Sequence, residues 1–160
     1  MNWFLLALKN TFNYKGRARR IEYGSFLVGS YLVAILFAFL LRASESLGLA
    51  TFATALSFLS DLVNFVFLLS QMALTARRLH DLGYSGWWQV AMGLVGIVLV
   101  VLMAFGFASE TNVELGILCA VLMAILYLGS QGWLIFKDGQ RFTNKYGEDP
   151  KASGSEVAEI

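Results

Sequence analysis

The chain alternates long apolar runs with short polar ones, and the lengths of the runs decide what they are. Crossing a hydrocarbon layer about 30 Å thick takes about 20 helical residues at 1.5 Å rise each. Four runs reach that length: residues 23–41, 56–76, 87–108 and 115–136. Asp61 is the only charged residue inside any of them. Each run is apolar almost all round, whereas a surface helix of a soluble protein would show one polar face. The pattern predicts an all-α integral membrane four-helix bundle, with residues 1–150 as a single transmembrane domain.

Ahead of the first run, Trp3 to Leu8 form a stretch too short to span. Asn2, Lys9 and Asn13 share one helical face, with Phe4, Leu5, Leu8 and Phe12 elsewhere. That arrangement suits a short N-terminal interfacial helix. No basic residue precedes the stretch and no small-residue cleavage site follows it, so a removable signal peptide is not expected. Residues 42–55, 77–86 and 109–114 connect the spans, and the Leu47 to Phe52 stretch of the first connection suits the interface. From Lys151 onward the composition is that of a disordered cytoplasmic tail, residues 151–160. No internal repeat supports an inverted-repeat transporter.

Composition strengthens the membrane reading: of 160 residues, 58% are hydrophobic and 14% charged, too little polar surface to cover a soluble domain. The single cysteine, Cys119, excludes an intramolecular disulfide. Net charge is +1, so the distribution of charge is more informative than its sum. Lys9, Lys15, Arg17, Arg19 and Arg20 precede the first span, Arg77 and Arg78 lie between the second and third, and Lys137, Arg141, Lys145 and Lys151 follow the fourth. On the other side Arg42 stands with Glu45, Glu110 and Glu114. Basic loops stay inside, which predicts that both termini are cytoplasmic.

Three polar clusters converge on that face: residues 15–23, residues 75–88 and residues 144–150. One reading is purely structural. Arg77 and Arg78 favour the negative end of the second span, Gly83 caps it in a left-handed conformation, and Ser85 caps the start of the third. Trp87 and Trp88 then sit at headgroup level. The sharper reading notes that acids accompany the bases, Glu22 beside Arg19 and Arg20, and Asp81 beside Arg78 and His80. Paired acids hold arginine forks in fixed directions, which suits a pocket for an anionic lipid headgroup or a partner protein.

The clusters also carry a resemblance. Gly16, Arg17, Arg20, Glu22 and Tyr23 form an opening motif. Arg77 to Asp81 with Gly83 and Ser85 to Trp88 form a second, and Asn144, Tyr146, Gly147, Asp149 and Pro150 a third. In this order they resemble the bacterial inner-membrane family catalogued as domain of unknown function 805. Aromatic residues commonly follow the family's Glu-Tyr pair, and here Gly24 and Ser25 stand instead. The resemblance implies an inner-membrane location and brings no settled activity.

The candidate lipid or partner face is therefore Arg17, Arg20, Glu22, Tyr23, Arg77, Arg78, His80, Asp81, Trp87, Trp88, Asn144, Tyr146 and Asp149. Asp61 and Asn64 form a separate intramembrane polar candidate, with Asp61 near the outer end of its span and able to reach water. Gln71, Ser130 and Gln131 can hydrogen-bond between helices. His80 is the sole histidine, so neither a histidine metal site nor a histidine relay is expected, and no nucleophile is identifiable. The expected protein is non-enzymatic, without cofactor or nucleic-acid partner. It meets membrane lipids, with a second copy or another membrane protein left open. The alternative is a small oligomeric transporter or channel subunit, motivated by Asp61.

Overall fold

The computed structural model describes residues 2–108 and 112–152. It contains five helices: α1 (Trp3–Lys9), α2 (Arg20–Ser46), α3 (Ala50–Asp81), α4 (Trp87–Ala108) and α5 (Val113–Phe136). No strand occurs among the described residues, and α2 to α5 are each long and apolar enough to cross a membrane. Glu110 and most of the expected disordered tail, residues 153–160, lie outside the described residues.

Two helices are longer than hydropathy alone implies. The second span was expected over 56–76, yet α3 runs over Ala50–Asp81, so Arg77 to Asp81 continue the helix rather than forming a loop. Likewise α2 begins at Arg20 and ends at Ser46, outside the expected 23–41. Hydropathy detects where a helix turns polar, whereas backbone hydrogen bonding continues until a capping conformation ends it. At the end of α3 that conformation is supplied by Gly83 at φ +85°, as expected, just after the capping residue Leu82. Ser85 Oγ accepts from the Trp87 N–H at 3.4 Å at the start of α4. The turn between α2 and α3 is only residues 47–49, with Gly48 at φ +70°.

The longer α3 adds six residues, 50–55, ahead of the expected span that contains Asp61. Asp61 lies 11 residues beyond Ala50, about 16 Å along the axis, and is exposed. Asn64 is also exposed and donates to Ser60 Oγ at 3.3 Å.

Antiparallel α2 and α3 form one hairpin and α4 and α5 another. The short α1 lies across the first hairpin. Its Phe4 stacks on Phe26 with ring centroids 5.5 Å apart and meets Phe67 edge-on at 5.9 Å. Gly29 makes this approach feasible, since a Cβ there would come within 2.5 Å of the Phe4 ring. Thr11 Oγ1, just after α1, lies 2.6 Å from Ser70 Oγ on α3.

The second hairpin is held by close backbone approach. Gly106 is the one described residue of α4 that is buried, and a Cβ on it would overlap the Gly116 backbone of α5. Replacing Gly106 with Val is therefore expected to destabilise the protein by about 1–3 kcal/mol through overpacking. Gly129, with open space around its Cα, should accept Ala without loss. Thermal unfolding in detergent, followed by circular dichroism, checks the contrast.

Candidate functional site

The site is a polar cap in which the segment before α2, the end of α3 and the segment after α5 are bonded to one another. Arg78 lies at its centre and is only 1% exposed. The last carbonyls of a helix lack intrahelical partners and carry the negative end of its dipole, so a buried cation is favourable there. Arg78 meets that need for α5, donating Nε to Leu134 O at 2.8 Å and Nη2 to Lys137 O. Its Nη1 donates to Asp81 Oδ2, one turn along α3.

Asp81 is shared. Its other oxygen, Oδ1, accepts from Arg17 Nε at 3.0 Å and faces Arg17 Nη2 at 2.9 Å. Arg17 also reaches the far segment, donating Nη1 to Phe142 O at 2.7 Å and Nη2 to Gln140 O. The Gln140 N–H donates to Asp81 O at 2.9 Å, closing the ring. Two guanidinium groups thus flank one carboxylate, and backbone carbonyls receive the remaining donors. Gly139 is required beside it, because a Cβ at that position would overlap the Asp81 carboxylate.

His80 points away from Asp81. Its Nδ1 lies 3.2 Å from Gly16 O, so Nδ1 carries the proton, and its ring stacks on Tyr146 with centroids 3.9 Å apart. Asn144 Nδ2 donates to His80 O at 3.0 Å and to Gln140 Oε1 at 2.8 Å, while its Oδ1 accepts from the Tyr146 N–H. Asp149 Oδ1 accepts from the Lys151 N–H in a local turn. Arg19 Nε donates to Pro150 O at 2.6 Å, and its guanidinium lies 5.7 Å from the Trp3 ring centre.

A second buried pair lies alongside. Glu22 was expected beside Arg19 and Arg20, but its Oε1 accepts from Arg77 Nη1 at 2.9 Å, each side chain about 5% exposed. Helical spacing turns Glu22 toward α3 and leaves Arg20 exposed on another side. Arg77 Nε and Nη2 are buried without an acceptor. Tyr23, fully buried, donates its hydroxyl to Gln131 Oε1 at 2.7 Å and accepts from Gln71 Nε2 at 2.9 Å. This bridge joins α2, α3 and α5 directly beneath the arginines. Ser130, by contrast, donates within its own helix to Tyr127 O.

Several candidates lie outside the network. Trp87 and Trp88 are 76% and 57% exposed at the start of α4. Asp61 is 20 residues from Asp81 along α3, about 30 Å away. Sequence reasoning overlooked Gln140 and Gly139, for which the Asp138-Gly139 turn dipeptide was the available signal. On the outer surface, hydrogen bonds from Lys151 and Arg141 hold the Asp138 carboxyl well below the usual carboxylate range. No grouping of side chains suited to a metal occurs among the described residues.

Four apolar helices closed at one end by buried arginines define a multi-pass membrane protein. The profile of the family described as "Protein of unknown function (DUF805)" matches residues 11–148, and the chain belongs to that family. It is 32% identical over 114 residues to inner membrane protein YhaH of Escherichia coli (strain K12), an alignment covering 71% of this chain and 91% of YhaH. It is 33% identical over 151 residues to inner membrane protein YhaI of the same organism, covering 94% of this chain and 97% of YhaI. No solved structure matches the chain at a significant level. Both relatives are inner membrane proteins, and the long apolar helices fit that location.

The Glu22–Arg77 pair tests how the cap is stabilised. Glu22→Gln leaves a buried cation uncompensated and is expected to cost about 3–5 kcal/mol. The double variant Glu22→Leu with Arg77→Met removes both charges and should recover most of that loss. Unfolding of the wild type, the Glu22 single variant and the double variant in SDS mixtures measures the recovery directly.

Proposed function

We propose that this chain is a non-enzymatic inner-membrane protein whose polar cap is cytoplasmic and holds an anionic phospholipid beside it. Basic segments at the cap and the mixed charges of Arg42, Glu45 and Glu114 at the opposite end support that orientation. In it, both termini are cytoplasmic, Trp87 and Trp88 sit at headgroup level, and α1 with the turn after it lies in the inner leaflet boundary, Leu5 and Phe12 toward lipid.

The carrying observation concerns which cations are left for a ligand. Arg17, Arg77 and Arg78 are turned inward onto acids and carbonyls. Arg20 and Lys137 are exposed, at the start of α2 and just past the end of α5. Between these two helices runs an open groove of about 750 Å³, lined by Arg20, Gly24, Ser25, Val28, Ile135 and Phe136 among others. A cation at the head of an apolar groove matches a phospholipid, with phosphate at Arg20 and Lys137 and an acyl chain below. The inward arginines serve this site by fixing the helix ends that form it.

Each exposed basic residue contributes about 1 kcal/mol toward an anionic headgroup. Arg20→Gln with Lys137→Gln should weaken retention of phosphatidylglycerol roughly tenfold or more, with folding intact. Val28→Trp, which fills the groove, should weaken retention of phosphatidylglycerol and phosphatidylethanolamine alike. Native mass spectrometry of detergent-released protein reads both. Unchanged lipid retention in both variants would overturn the proposal.

A further inference from the structure

The two hairpins meet near the cap through the Tyr23–Gln71–Gln131 bridge and, farther along, through the hydroxyls of Tyr31 and Tyr127 at 2.8 Å. Beyond the cap end of α3, the side of that helix next to the one packed on α2 is left largely uncovered by α4. That side is not apolar. Thr54, Ser57, Asp61, Asn64, Gln71 and Thr75 recur at alternating steps of three and four residues, with Leu68 the one apolar member.

Such a repeat keeps its members in a single seam, the geometry by which one helix packs along another at a shallow crossing angle. From Thr54 to Thr75 the seam is about 31 Å long, close to the thickness of the hydrocarbon layer. At the cap end it is used within the chain, where Gln71 bonds Tyr23 and Thr75 lines a cleft with Trp88 and Gln131. Farther out it is not. Thr54, Asp61, Asn64 and Leu68 are exposed. Asp61 makes no hydrogen bond or ion pair with any described residue. Thr54 and Ser57 donate to carbonyls of their own helix, and Asn64 donates to Ser60, so each side chain keeps acceptor capacity on its oxygen. Polar groups facing hydrocarbon are costly unless another polar surface meets them.

We infer that this seam is the interface of a homodimer, in which α3 packs in parallel against α3 of a second copy. Every copy inserts in the same orientation, so a two-fold axis along the membrane normal sets the two helices parallel and each layer opposite itself. The seam is suited to meeting itself, because Asn64 keeps a donor hydrogen and an acceptor oxygen for its counterpart, and the Thr54 and Ser57 oxygens can accept. Asn64 facing Asn64 fixes the register, as a polar residue does in a coiled-coil seam. Asp61 lies one layer from Asn64 of the other copy, whose second Nδ2 hydrogen can be donated to it. The two Asp61 carboxylates repel across the axis, so Asp61→Asn should dimerise at least as well as the native chain. Nothing in this inference depends on the phospholipid groove between α2 and α5.

Cysteine cross-linking in native membranes tests it. In a Cys119→Ser background, Ser57→Cys and Leu68→Cys stand on the seam, while Leu62→Cys is exposed on another side of α3. A short bismaleimide is expected to link the two seam variants into dimers and to leave Leu62→Cys monomeric. Adding Asn64→Leu to Leu68→Cys should reduce the dimer, and adding Asp61→Asn should preserve it. Equal linking at all three positions would indicate random collision and overturn the inference. So would linking at none, or seam cysteines that react with a membrane-impermeant maleimide in a chain that sediments as a monomer.

Discussion

The Asp81 carboxylate is shared between two buried arginines, and the polar end of the molecule is organised by that sharing. Arg78 alone would be a cation buried at a helix end, and Arg17 alone would be a cation drawn out of water by a loop. Neither is favourable without an anion, and each needs the same one. Because Arg78 also caps α5 and Arg17 also binds the carbonyls of residues 140 and 142, the carboxylate ties three distant chain segments into one unit. Removing it would leave two charges stranded. The energetic logic is therefore one of mutual dependence rather than of added contacts.

The cap has consequences along the helices beneath it. By fixing the ends of α3 and α5 together, it sets the spacing at which Tyr23 can bridge Gln71 and Gln131. It also places the exposed Arg20 in the lining of the groove between α2 and α5, with the exposed Lys137 directly following Phe136 of that lining. Beyond the Tyr31–Tyr127 pair no polar contact joins the hairpins among the described residues, and the seam of α3 turns outward. Rigidity at one end and open helix faces at the other are two results of one arrangement.

Much of this was legible in the sequence. Apolar length identifies the four spans because a bilayer has a fixed thickness, and Gly83 announces the end of α3 because few other residues adopt a positive φ. The polar clusters were also visible, but their pairings were not. Glu22 reads as a neighbour of Arg19 and Arg20, yet it bonds Arg77, 55 positions away, because helix geometry rather than adjacency selects partners. Arg77 and Arg78 read as a positive-inside signal, and only tertiary structure shows them buried. The role of Arg78 at the end of α5 is invisible locally, since the carbonyls it caps belong to another segment. Of the α3 seam only Asp61, Asn64 and Gln71 stood out, because its hydroxyl members are ordinary in an apolar run until their common face is known.

Hydrogen exchange of the cap, comparing the wild type with Asp81→Ala in detergent or nanodiscs, tests the central claim most directly. Residues 14–20, 78–86 and 137–148 should lose protection together in the variant, while the mid-helix amides of α2 and α5 stay protected. If only residues next to position 81 lose protection and the segments before α2 and after α5 exchange as in the wild type, the shared carboxylate does not hold the cap together.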